Sequence, residues 1–141
     1  MGVDSQTTSV EVWEGQDFAI LARIMSPSGV VMTRSHVTDY TVNIFDATSG
    51  VESSPIYTKT SASEAEIMLA SLTNDGWWNA DSTGYTMIWR VQQDLLDASV
   101  KFEGGHNYIV EILLTADSDA STASGVIPVI TYVTVRSRPG G

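Results

Sequence analysis

Apolar and polar residues alternate with period two over most of this chain, and that restricts its fold more than any other feature. Successive side chains leave a strand on opposite faces, so such a pattern describes sheets with one buried side. In Asp17–Met25, Phe18, Ile20, Ala22 and Ile24 share a face, while Leu21 and Met25 make the other face partly apolar. In Asp39–Asp46, Tyr40, Val42 and Ile44 alternate with Thr41 and Asn43. In Tyr85–Val91, Tyr85, Met87, Trp89 and Val91 alternate with Thr86, Ile88 and Arg90. Tyr108, Val110, Ile112 and Leu114 line one side of Asn107–Ala116, as Ile127, Val129, Val133 and Val135 do for Val126–Val135. Thr7–Trp13, with Val10 and Val12 inward, adds a first strand. Ser63–Leu72 is ambiguous, since Ile67, Met68 and Leu69 suit a strand or a short helical turn.

Turn chemistry separates these runs. Ser26-Pro27-Ser28-Gly29, Asp46 to Gly50, Asn74-Asp75-Gly76, Gly104-Gly105 and Asp117 to Gly125 supply the Pro, Gly, Asn and Asp that tight turns need. Seven to eight short strands spaced in this way predict an all-β chain, an antiparallel Ig-like β-sandwich with room for one short helical turn. The sandwich is expected over residues 8–136, with a polar extension at 1–7 and a tail at 137–141. Ser and Thr number 32 and cysteine is absent, which favours sheet and removes disulfides and thiolate chemistry. The second faces are also partly apolar (Ile109 and Leu113; Val126, Ile130 and Tyr132), which hints that one sheet is covered by something else.

Charge narrows the partners. The chain has 141 residues, with seven Lys and Arg against seventeen Asp and Glu, a formal net charge of −10. Nucleic-acid affinity comes largely from cations on phosphates, and anionic membrane surfaces likewise attract basic segments. Neither is expected as a partner here. No apolar run approaches the length of a membrane span, and Met1 to Ile20 lacks the basic start and apolar stretch of a signal peptide.

Residues that would carry chemistry are sparse. The two histidines, His36 and His106, come with no Gly-x-Ser-x-Gly elbow and no H-x-x-x-H pair, so neither a serine triad nor a transition-metal site is expected. Asp117-x-Asp119-x-Ser121 opens like a calcium loop, but Thr122 stands where the loop needs Gly and Pro128 where it needs Glu. No catalytic residue, metal or cofactor is therefore assigned. The candidate partner-binding residues are Trp77 and Trp78 beside the Asn74-Asp75-Gly76 turn, one expected inward and one outward, together with Arg136 and Arg138 of the basic tail. An outward Trp serves as an anchor for a protein or a platform for a sugar ring. The arginines are free to pair with a partner's acids or with acids of this chain. Trp89, in phase with Tyr85 and Val91, belongs to the core.

Several segments carry a likeness to a known group. Val10-Glu11-Val12-Trp13-Glu14-Gly15-Gln16-Asp17-Phe18 is followed by an apolar strand, a Ser-Gly turn and Asp39-Tyr40-Thr41-Val42. The second half adds Gly76-Trp77-Trp78-Asn79-Ala80-Asp81-Ser82-Thr83-Gly84-Tyr85 and Phe102-Glu103-Gly104-Gly105-His106-Asn107-Tyr108-Ile109-Val110-Glu111. Over residues 8–136 this arrangement resembles Ig-like β-sandwich structural proteins of tailed-phage virions. The resemblance implies a non-enzymatic virion component assembled in the host cytoplasm. The expected form is a capsid decoration or cement protein that binds and stabilises the major capsid protein lattice, as a homo-oligomer. A tail or baseplate component is the alternative within that group, and a carbohydrate-binding β-sandwich the alternative outside it.

Overall fold

The computed structural model describes residues 6–25, 29–48, 50, 54–76, 78, 82–91, 102–116 and 125–137. These residues contain eight strands: β1 Gln6–Trp13, β2 Phe18–Ala22, β3 Val37–Asp46, β4 Tyr57–Ser61, β5 Met68–Thr73, β6 Tyr85–Val91, β7 Asn107–Ala116 and β8 Val126–Arg136. They form two sheets, one ordered β1-β8-β7-β3-β4 and the other β2-β6-β5. The inward rows of the two sheets meet in a single apolar core, so the chain is a β-sandwich. Its strand order is that of an Ig sandwich, since β8-β7-β3 follows the order G-F-C of one sheet and β2-β6-β5 the order B-E-D of the other.

The inward rows read from the alternation hold. Tyr40, Val42 and Ile44 of β3, Tyr108, Val110, Ile112 and Leu114 of β7, and Ile127, Val129, Val133 and Val135 of β8 are all buried. They pack against Ile20 and Ala22 of β2, Met68 of β5, and Met87 and Trp89 of β6. The register pairs like with like: Val42 faces Ile112 and Ile44 faces Val110, while Ile20 faces Trp89 and Ala22 faces Met87.

One pairing is parallel. β1 runs alongside β8 with Val10 opposite Val133 and Val12 opposite Val135. The cause lies in the short turn after β1, where Gln16 Oε1 accepts from the Trp13 amide and the Glu14 amide donates to the Arg136 carbonyl. That turn delivers β2 to the opposite sheet, about 10 Å away, so β1 cannot form a hairpin with its successor. It closes the edge left by the last strand instead.

β6 departs from the expected one-sided pattern. Thr86 and Ile88, on its second face, are as buried as Met87 and Trp89. The Thr86 hydroxyl oxygen accepts from the Ile24 amide, and the Ile88 amide donates to the Ile67 carbonyl. The ambiguous segment contains both alternatives in turn, a 3-10 turn at Glu64–Glu66 and then β5 from Met68. Between Met68 and Thr73 the β5–β6 register shifts, because Met68 faces Met87 while Thr73 faces Tyr85.

Tyr108 explains the Gly104-Gly105 motif. Its hydroxyl oxygen accepts from the Glu103 amide at 2.9 Å, which ties the start of β7 to the chain just before it. The Gly105 amide meanwhile donates to the Val135 carbonyl, at a φ of +84° that favours glycine. A tyrosine at this strand start, bonding back to upstream backbone, is the tyrosine corner of Ig sandwiches. The residues of the Asp117-x-Asp119-x-Ser121 pattern, of the Ser26-Pro27-Ser28 turn and of segments 1–5 and 138–141 lie outside the described residues.

Candidate functional site

The loop entering β6 gathers the first group of candidates. Trp77 lies outside the described residues, whereas Trp78 is half-buried at one end of the three-stranded sheet. The Tyr85 ring stacks on it with centroids 5.7 Å apart and planes inclined by 29°, and Arg23 Cζ lies 6.0 Å from the indole centroid. Arg23 Nη1 donates to the Gly84 carbonyl at 3.2 Å, and the Tyr85 hydroxyl donates to Asp75 Oδ2 at 2.9 Å. Burial, and then the Asp75 carboxylate, push the Tyr85 phenol above its ordinary pKa. The Trp78 amide donates to the Asp75 carbonyl. Trp78 is thus a member of an intrachain stack that locks the loop to β6. Trp89 sits in the core, as its phase required.

Arg136 is at the end of β8, with its Nε 2.9 Å from Glu11 Oε1 on β1 and both side chains more than half exposed. This ion pair joins the two parallel strands at the sheet edge. Arg138 lies outside the described residues.

The histidines serve the loops. His36 Nδ1 accepts from the Thr33 amide at 3.0 Å, closing the 3-10 turn Arg34–His36. His106 Nδ1 lies 3.0 Å from Asp46 Oδ2, and its Nε2 lies 3.4 Å from Glu103 Oε2. Asp46 Oδ1 also accepts from the Thr48 amide and hydroxyl. Burial pushes the Asp46 carboxyl up, but the two Thr48 bonds and His106 outweigh it and hold the group below its ordinary pKa. The cluster pins the end of β3 to the start of β7. Among the described residues, no group of three or more His, Cys, Asp or Glu could hold a metal ion.

The most extensive candidate is the outer face of the five-stranded sheet. Register places Phe45 of β3 opposite Ile109 of β7, and Ile109 opposite Tyr132 of β8. Two residues further along, Asn43, Glu111 and Ile130 form the next row, then Thr41, Leu113 and Pro128. Val126 and Tyr132 are 55% and 49% exposed, and Phe45, Ile109, Leu113, Pro128 and Ile130 are partly exposed. The β8 and β7 side of this face is therefore apolar. The β3 and β4 side is polar, with Thr58 Oγ1 donating to Asn43 Oδ1 at 2.9 Å and the Thr41 and Thr60 hydroxyls 3.1 Å apart. The second-face residues visible in the sequence were the signal for this surface. Their fusion with Phe45 and Pro128 into one band needed the register.

Comparison of the chain with protein-family models, with curated proteins and with solved structures returned no match.

Proposed function

We propose that this chain is a non-enzymatic structural protein of a tailed-phage virion, a decoration or cement protein that lays the outer face of its five-stranded sheet on the major capsid lattice. The observation that carries the reading is the apolar band Phe45–Ile109–Tyr132, continued by Ile130, Leu113, Pro128 and Val126. The inner face of the same sheet already builds the core, so folding the domain does not require the outer face to be apolar. Contiguous apolar patches of this kind mark interaction sites. Five strands about 4.8 Å apart and five to eleven residues long give a face of roughly 24 by 29 Å, about 700 Å². One side of a standard protein interface buries a similar area.

Docking on a lattice stabilises it by linkage, since separating the subunits must also break the added contacts. The net charge of −10 disfavours contacts between free copies before they dock. Of the two residues on which the carbohydrate reading rests, Trp78 stacks on Tyr85 and Trp77 lies outside the described residues.

The test is fractionation of washed virions, from a phage encoding this chain, into heads and tails, with the chain detected by mass spectrometry. Recovery with heads supports the proposal. Recovery with tails selects the tail or baseplate reading, and absence from both removes the virion assignment.

A further inference from the structure

The apolar field on the outer sheet face has a charge at its centre. Glu111 lies on β7 between Ile109 and Leu113 of the same face, opposite Ile130 on β8 and Asn43 on β3. It is half-buried, and its Oε1 accepts from Asn43 Nδ2 at 3.0 Å. Asn43 is in turn held by Thr58, so a chain of polar groups across three strands fixes the carboxylate in place. Among the described residues the only cation outward on these strands is Arg136, which is engaged by Glu11 and stands six residues along β8 from Ile130. That separation is about 20 Å along a strand.

Any partner that covers the band also buries Glu111. Removing an ionised carboxylate from water without a counter-charge is costly, and a like charge brought against it is worse. A second copy docked face to face about a two-fold axis through the band would place Glu111 against its own counterpart. Self-association through the centre of this face is thereby disfavoured. A partner carrying a cation among apolar side chains meets both demands, and the −10 chain would also steer such a partner toward it.

We infer that the outer face of the five-stranded sheet is a docking surface for a different protein, whose contact patch is apolar with a central Lys or Arg that pairs with Glu111. This deepens the docking reading above and rests on it for the surface, but not for the virion.

The probes are short alternating peptides, Leu-Lys, Leu-Gln and Leu-Glu, titrated into the full chain by calorimetry and by amide chemical shifts. Leu-Lys is expected to bind most tightly and to shift the amides of Ile109 to Leu113 and Ile130 to Tyr132. Glu111→Gln is expected to weaken Leu-Lys binding about fivefold or more, and Glu111→Lys to reverse the preference in favour of Leu-Glu. Glu103→Gln removes the same charge from an exposed turn and is expected to change the affinity less than about twofold. Equal losses from Glu103→Gln and Glu111→Gln, or shifts that map to another surface, overturn the inference. So does a dimer of the full chain in sedimentation that Tyr132→Asp converts to monomer. Peptide binding at this face, with the chain absent from virions, supports this inference and removes only the virion assignment. A Glu111→Lys variant that still decorates capsids at wild-type occupancy overturns this inference and leaves the virion reading intact.

Discussion

Tyr108→Phe removes a single oxygen atom, and the structure states what that oxygen does. The ring is 2% exposed and meets Phe102 edge-on at 4.9 Å and His106 at 6.0 Å, contacts that phenylalanine retains. What disappears is the acceptor for the Glu103 amide, 2.9 Å away. A made hydrogen bond is worth about 0.5–1.5 kcal/mol net, and a donor left dry costs about 1–3 kcal/mol. Glu103 is exposed, so water can reach part of the orphaned group and the expected loss is about 1–1.5 kcal/mol. For a domain of this size that lowers Tm by roughly 3–5 °C. Urea unfolding should show a lower midpoint at unchanged m, and exchange of the Glu103 amide should accelerate in the variant. Burial holds the Tyr108 phenol above its ordinary pKa, with the Glu103 amide pulling the other way. A raised folded-state pKa means that the phenol's contribution is complete below its unfolded value, so the difference between the two proteins should be flat up to about pH 9. A variant within about 0.3 kcal/mol of wild type, with an unchanged Glu103 exchange rate, would refute the tyrosine-corner argument.

Three further outcomes test other parts of the structure. Gly84→Ala places a Cβ 2.4 Å from the Thr73 carbonyl oxygen at a φ of +113°, and should cost at least about 2 kcal/mol in urea unfolding. Gly76→Ala, in open space, is the near-neutral control. Asp46 has a depressed folded-state pKa, so it contributes stability above its unfolded value that is lost as pH falls; the advantage of wild type over Asp46→Asn should shrink on acidification below about pH 4, measured by thermal melts. Tyr40, desolvated and donating to Glu66 Oε1 at 2.7 Å, has its pKa pushed up to about 12. Its contribution is complete below its unfolded value and lost as pH rises through about 12, and Tyr40→Phe should delete the latest phase of the phenolate absorbance titration.

Much of the sandwich was legible because alternation is a local signal with a direct physical cause. A strand with one buried face must repeat every two residues; β7 and β8 do so along their whole length, and β3 does so from Tyr40 to Ile44, beyond the register shift between Val37 and Asp39. β6 was half-legible: Met87 and Trp89 read as inward, while the burial of Thr86 and Ile88 depends on groups distant in sequence, among them the Ile24 amide and the Ile67 carbonyl. For Ser63–Leu72 the local signal is mixed because a 3-10 turn and a strand follow each other within ten residues. Among the candidate site residues, Trp78 is half-buried and Arg136 more than half exposed, and their neighbours Tyr85, Arg23 and Glu11 are set by contacts between segments that the local sequence does not show.

By itself, then, the amino-acid sequence placed six of the eight strands, missing β4 and leaving β5 undecided, and it showed which face of most of them turns inward and that the whole is strongly acidic. Tertiary structure alone decided how the strands divide between two sheets, that β1 joins β8 in parallel, and that Phe45, Ile109, Tyr132 and Glu111 share one outer surface. The division has a physical reason. Side-chain direction along a strand is fixed by covalent geometry within a few residues, whereas register and sheet order are fixed by hydrogen bonds and packing between segments far apart in the chain.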